Sequence, residues 1–200
     1  MAKIKNSLAL SLKLDEYVDT WCSVIEDFYR QIISDDKVFL PLTGTKEAEY
    51  KLSYETRTVL LLLAMKMFKS TSMNERAKLT VEEKVVDGVY RVIIPEDEEM
   101  LEQSKEYYNN RYEMFEEVDV YSSSDSQKEA KQAVRDDMIG YARYLISNVT
   151  DKPEADLKDT ITALSVHLMK AANVFAYFSN NTTLDGNGLL LRRYKFYVKR

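Results

Sequence analysis

The 200 residues carry 28 basic and 33 acidic side chains, a net charge of −5, with hydrophobic residues at 45% and only 5 glycines and 3 prolines. That balance belongs to a helix-rich, folded chain the size of one ordinary domain and excludes disorder as its governing state. The negative sign argues against a protein that tracks a nucleic-acid backbone, and the single cysteine, Cys22, forbids an internal disulfide and suits a cytoplasmic setting.

At the amino terminus Lys3, Lys5 and the apolar patch from Leu8 to Leu12 imitate a secretion signal, but Lys13 interrupts the patch and no small-residue cleavage site follows. The most apolar run, Val59 to Met65, is far shorter than the roughly 20 residues a bilayer requires, so no membrane span is expected. The first strong helix is predicted from about Leu14 to Ile33. Leu14, Val18, Trp21, Ile25, Phe28 and Ile32 recur at steps of four and three on one stripe. Asp35 and Asp36 end that pattern, and Pro41 and Gly44 read as loop.

A second helix is predicted from near Thr45 to about Ser70, with Ala48, Leu52, Val59, Leu63 and Met67 on its main face. Leu60, Leu61 and Leu62 spread apolar groups around it, which marks a central helix surrounded by neighbours. Between Val85 and Ile94, β-branched runs flank Asp87-Gly88, the strongest short hairpin signal, and predict a β-hairpin at about 80–94. The competing reading is a helix from Thr80 that lines up Val81, Val85, Val89 and Val92, at the cost of an interior Gly88.

Pro95 and the acids Glu96, Asp97, Glu98 and Glu99 suit the start of a long helix reaching about Val118. Its rows Met100, Tyr107, Met114 and Leu101, Tyr108, Phe115 form adjacent stripes. The polar run from Tyr121 to Ser126 is a loop. A helix from about Ser126 to Val149 turns Ala130, Val134, Met138, Tyr141, Leu145 and Val149 inward. Pro153 opens the last long helix, in which Leu157, Ile161, Leu164, Leu168, Ala171, Phe175 and Phe178 keep a four-three rhythm until the Asn180-Asn181 and Asp185-Gly186-Asn187-Gly188 segment. Beyond it Tyr194, Phe196 and Val198 alternate with Lys195 and Tyr197 and predict a strand that joins the hairpin. The expected architecture is mainly α: a single domain over 1–200, a bundle of about five long helices, a β-hairpin and a C-terminal strand within the basic–aromatic segment 189–200.

Several chemistries are excluded by residue supply. His167 is the only histidine, so centres built on two or more histidines cannot be assembled from one chain. A ferritin-like di-iron motif needs Glu three residues before His, and position 164 is Leu. His167 therefore reads as a histidine at a helix–helix boundary, and Cys22, with no nearby cation in sequence, as a packed thiol. No glycine loop of the phosphate-cradling kinds is present. Asn181, Thr183, Asp185 and Gly186 imitate a calcium loop whose twelfth position would be Arg192 rather than Glu.

One carboxylate pattern carries chemistry. Glu99-x-x-Glu102 and Glu116-x-x-Asp119 each place two acids on one helical face, the arrangement that holds Mg²⁺ against phosphates. This spacing resembles the paired acidic motifs of all-α nucleoside-triphosphate pyrophosphatases. The resemblance implies Mg²⁺ at Glu99, Glu102, Glu116 and Asp119 and hydrolysis of a nucleotide. Those enzymes set the two pairs on consecutive helices, whereas this chain carries both on one predicted helix.

Absence of an assembled reaction centre points to a non-catalytic interaction protein of scaffold, adaptor or inhibitor type, without cofactor, whose partner is another protein. Tyr107 and Tyr112 offer contact area at low entropy cost, and Arg192, Arg193 and Lys195 offer charge. Two alternatives stand beside it: the Mg²⁺-dependent nucleotide pyrophosphohydrolase, and a nucleic-acid-associated factor using the basic carboxyl end. The two stripes of the Met100 to Val118 helix also allow self-association into a homodimer.

Overall fold

The computed structural model describes residues 9–12, 14–69, 75–116, 127–180, 182–185 and 188–192. Among them the chain is mainly α-helical, with seven α-helices: α1 (Leu14–Ile33), α2 (Asp36–Leu42), α3 (Lys46–Lys69), α4 (Glu75–Arg91), α5 (Glu98–Glu116), α6 (Gln127–Val149) and α7 (Lys158–Asn180). A 3₁₀ turn, Glu154–Leu157, leads into α7. Strands β1 (Ala9–Leu12), β2 (Thr182–Asp185) and β3 (Gly188–Arg192) form an antiparallel sheet in the order β1-β3-β2. Ala9 pairs with Arg192, and Thr182 with Leu191.

The core is organised around α3, which packs against α1, α4, α5, α6 and α7. Every residue from Glu55 to Met65 is buried. A helix enclosed on all sides must be apolar around its circumference, and the leucine run supplies that. α1 turns Val18, Trp21, Ile25, Phe28 and Ile32 into this core, and α7 adds Ile161, Leu164, Leu168, Ala171 and Phe175. Where α1, α3 and α7 meet, Trp21 lies edge-on to Phe68 and Phe178, at ring separations of 6.0 and 4.8 Å. Each large aromatic buried there stabilises the fold by about 1.5–3 kcal/mol, roughly the entropy cost of ordering one or two residues of its helix.

Two elements differ from expectation. Residues 36–42 are helical rather than loop. Asp35 caps α2 by accepting from the Lys37 N–H at 3.0 Å, Val38 and Leu42 are buried, and Pro41 is tolerated because the helix ends one residue later. The hairpin at 80–94 is overturned: α4 runs straight through Asp87-Gly88. Val81, Val85, Val86, Val89 and Tyr90 fall on one helical face and are all buried, so tertiary packing overrides the local turn preference. Asp87 pairs with Arg91 one turn on at 2.7 Å, which a hairpin would not allow. No hairpin therefore awaits a C-terminal strand, and β3 pairs with β1 and β2 instead. Tyr194 to Val198, the segment expected to form that strand, lies outside the described residues.

The 3₁₀ turn and α7 together, Glu154–Asn180, make a stretch long and apolar enough, by length and composition alone, to cross a membrane. A reading based on uninterrupted apolar runs misses it, because polar residues are spaced along the stretch. One face of this helix packs on α2, α3 and α6. Its other face exposes Lys158, Asp159, Lys170 and Asn173 together with Val166, Val174 and Tyr177.

Candidate functional site

α5 starts where Asp97 caps it, its carboxylate accepting from the Met100 N–H at 2.9 Å. Of its two expected stripes only one is buried, through Leu101 and Tyr108. Met100 is exposed and Tyr107 is half-buried. Between α4 and α5, with Lys69 of α3 also in its lining, runs a groove of about 580 Å³. Its apolar surfaces are Leu79 and Val86 of α4 and the rings of Tyr108 and Tyr112 of α5. Glu82, Glu83, Lys105 and Asn109 stand around them. Leu79 is 65% exposed at the edge of this concave surface.

The charges of the groove are ordered by local bonds. Tyr108 donates to Glu82 at 3.0 Å, and burial together with that carboxylate drives the Tyr108 hydroxyl well above the ordinary tyrosine range, so it stays a donor. Lys105 bridges Asp87 and Glu102, each at 2.9 Å. Burial opposes ionisation of Asp87, but the bonds from Lys105 and Arg91 prevail and hold its carboxyl below the ordinary value. The Lys69 ammonium lies 3.8 Å from the centre of the Tyr112 ring, a cation–π contact worth about 0.5–1 kcal/mol. A second hollow of about 420 Å³ adjoins on the α1 side of α4, shares Glu83 and Lys105, and has Cys22 and Gly88 among its lining.

Behind the groove lies a network of tyrosines around one buried acid. Glu55 accepts from the Tyr107 hydroxyl at 2.5 Å and from the Asn148 amide at 3.3 Å. Burial pushes the Glu55 carboxyl above the usual glutamate range, and those two bonds oppose the rise. Tyr54 packs against Tyr90 and Tyr107 at 5.4 and 5.5 Å, and the Arg111 guanidinium lies over the Tyr107 and Tyr144 rings. On the α1 side of α3, Arg57 grips both oxygens of Glu26, at 2.5 and 2.9 Å, and also donates to Ser53. Its guanidinium carbon lies 3.4 Å from the Tyr29 ring centre. Each of these groups is answered by a partner within the protein, so they fasten the helices to one another.

The residues singled out from sequence are placed as follows. Tyr112 lines the groove, while the Tyr107 hydroxyl is turned inward to Glu55. Arg192 ends β3; Arg193 and Lys195 lie outside the described residues. Glu99 and Glu102 are exposed, and Glu102 is paired with Lys105. Glu116 ends α5 and Asp119 lies outside the described residues. Among the described residues no three His, Cys, Asp or Glu side chains gather closely enough to hold a metal ion. His167 bonds through Nε2 to Asp35 at 2.9 Å, tying α7 to the cap of α2, and that bond lowers the Asp35 carboxyl. Desolvation pushes the Cys22 thiol up to about 11, away from the range of nucleophilic cysteines. Leu79, Glu82, Glu83 and Lys105 were not legible as a site, because they share one surface only when 80–94 is a helix.

Set against protein-family models, curated proteins and solved structures, the chain matches none of them.

Proposed function

We propose that this protein is a non-catalytic interaction module that docks a basic segment of another protein in the groove between α4 and α5. The observation that supports this reading most is the pairing of an exposed Leu79 with the half-buried Tyr112 in a single concave surface floored by the buried Tyr108 and Val86. Such surfaces take an apolar anchor from a partner, and aromatic walls carry most of the binding energy. Within the lining Glu82 and Glu83 stand against Lys69 and Lys105, so it is the exposure of Glu83 between this groove and its neighbour and the chain's net charge of −5, not an excess of acid in the groove, that favour a partner of opposite sign. A partner peptide with one large apolar residue flanked by Lys or Arg fits both features.

The test is recovery of a partner from the native host with wild-type protein and two groove variants, Leu79→Asp and Glu83→Lys, at low and moderate salt. Loss of the partner in Leu79→Asp, with weakened and less salt-sensitive recovery in Glu83→Lys, is the expected pattern. Equal recovery by all three proteins contradicts groove docking.

A further inference from the structure

We propose that α5 is a displaceable helix, clasped to α3 and α4 by tyrosine–carboxylate bonds, and that its swing opens and closes the groove it walls. Two observations carry this. The first is how few of the described α5 side chains, those of residues 98–112, are buried: only Leu101, Ser104 and Tyr108, whereas α7 buries eight residues and α3 fourteen. The second is the chemistry of what replaces that burial. Tyr107 reaches Glu55 of α3, Tyr108 reaches Glu82 of α4, Lys105 reaches Asp87, and Glu98 reaches Arg91.

Bonds between hydroxyls, ammonium groups and carboxylates are directional when formed, and water satisfies both partners when they part. An aliphatic interface lacks that second property, since opening it exposes surface that water cannot satisfy. α5 is therefore fixed in one register when closed, and the described side chains it withdraws on leaving are mostly tyrosines, whose hydroxyls water can satisfy. The turn that precedes it supplies the pivot: Ile94 is buried and anchors the turn, while Val92 and residues 95–97 around it are exposed. When α5 moves, Tyr108 and Tyr112 leave Val86 and Leu79, so the groove exists only in the closed state. The swing needs no partner and is measured on the free chain, so its failure leaves the docking proposal standing, and the reverse also holds.

Hydrogen exchange of the full chain, followed peptide by peptide, tests it. In the wild type, α5 amides are expected to exchange at least about tenfold faster than those of α3 and α7. Tyr107→Phe and, separately, Tyr108→Phe are expected to accelerate α5 by about a further tenfold while α1 and α7 keep their wild-type rates. If either variant does not fold, the wild-type profile together with Glu55→Gln, which keeps an acceptor for Tyr107, decides the matter, with α5 expected to stay as protected as in the wild type. Protection of wild-type α5 equal to that of α3, folded Tyr107→Phe and Tyr108→Phe variants that both leave α5 unchanged, or variants that speed all helices together would each overturn the proposal.

Discussion

Gly88 of α4 faces Cys22 of α1 so closely that a Cβ at position 88 would stand 2.8 Å from the cysteine sulfur. The glycine that imitates a hairpin turn is thus a close-approach residue between two helices. Its helical conformation is ordinary; it is the neighbouring sulfur, itself 3.8 Å from the Val85 carbonyl oxygen, that would have to shift to admit a side chain.

Gly88→Ala is accordingly expected to destabilise the protein by about 1–2 kcal/mol, even though alanine improves helix propensity by about 1 kcal/mol. In a Cys22→Ala background the obstruction is gone and the same substitution should stabilise by up to about 1 kcal/mol. Urea denaturation of the four proteins measures the reversal. A stabilising Gly88→Ala in the wild-type background would contradict the packing described.

Burial raises the Glu55 carboxyl above its ordinary value of 4.5, so the native state holds that proton more tightly than the unfolded chain. Such a group contributes stability that is complete below the unfolded value and is lost as pH rises through the native one. Wild type is therefore expected to lose ground relative to Glu55→Gln as pH climbs through that interval and to level off above it. Parallel stability curves for the two proteins would show that Glu55 is not desolvated.

The Arg57–Glu26 pair, with side chains 5% and 12% exposed, joins α1 to α3. Removing one partner strands a buried charge, so Arg57→Met is expected to cost about 3–5 kcal/mol. The double variant Glu26→Leu, Arg57→Met should cost clearly less than Arg57→Met alone, because no uncompensated charge is left. Thermal or denaturant unfolding reads both values, and simple additivity of the single variants would refute the coupling.

With its thiol pushed up to about 11, Cys22 is almost wholly protonated near neutral pH. Alkylation at pH 8 is expected to run about a hundredfold slower than that of an unhindered cysteine and to keep accelerating with pH well past the point where a free thiol levels off. Mass spectrometry of timed samples follows it. A rate equal to that of a model thiol at pH 8 would contradict the burial.

How much was legible in the sequence depends on how each helix is buried. α1, α6 and α7 bury apolar stripes and α3 an apolar run that covers its circumference, and their limits fall within about five residues of the spacing-based ones. α2 was missed because it is short: two buried residues, Val38 and Leu42, make no period, and Pro41 reads as a breaker when it sits in a final turn. α4 was misread because Val85, Val86 and Val89 satisfy both a strand run and a helical face, and only Cys22 on another helix explains Gly88. The groove inherits that error, since Leu79, Glu82, Glu83 and Val86 line one surface only on a helix. The role of Tyr107 depends on Glu55, fifty-two positions away in the chain, a pairing that no local spacing encodes.

The most direct test of groove docking places a photo-crosslinking residue at Leu79, on the groove, and at Leu40, a comparably exposed leucine on α2, which lines no part of it. Irradiation in the native host is expected to give one discrete, basic protein adduct from position 79 and none from position 40. Adducts of the same identity from both positions, or none from position 79, would contradict a partner seated between α4 and α5.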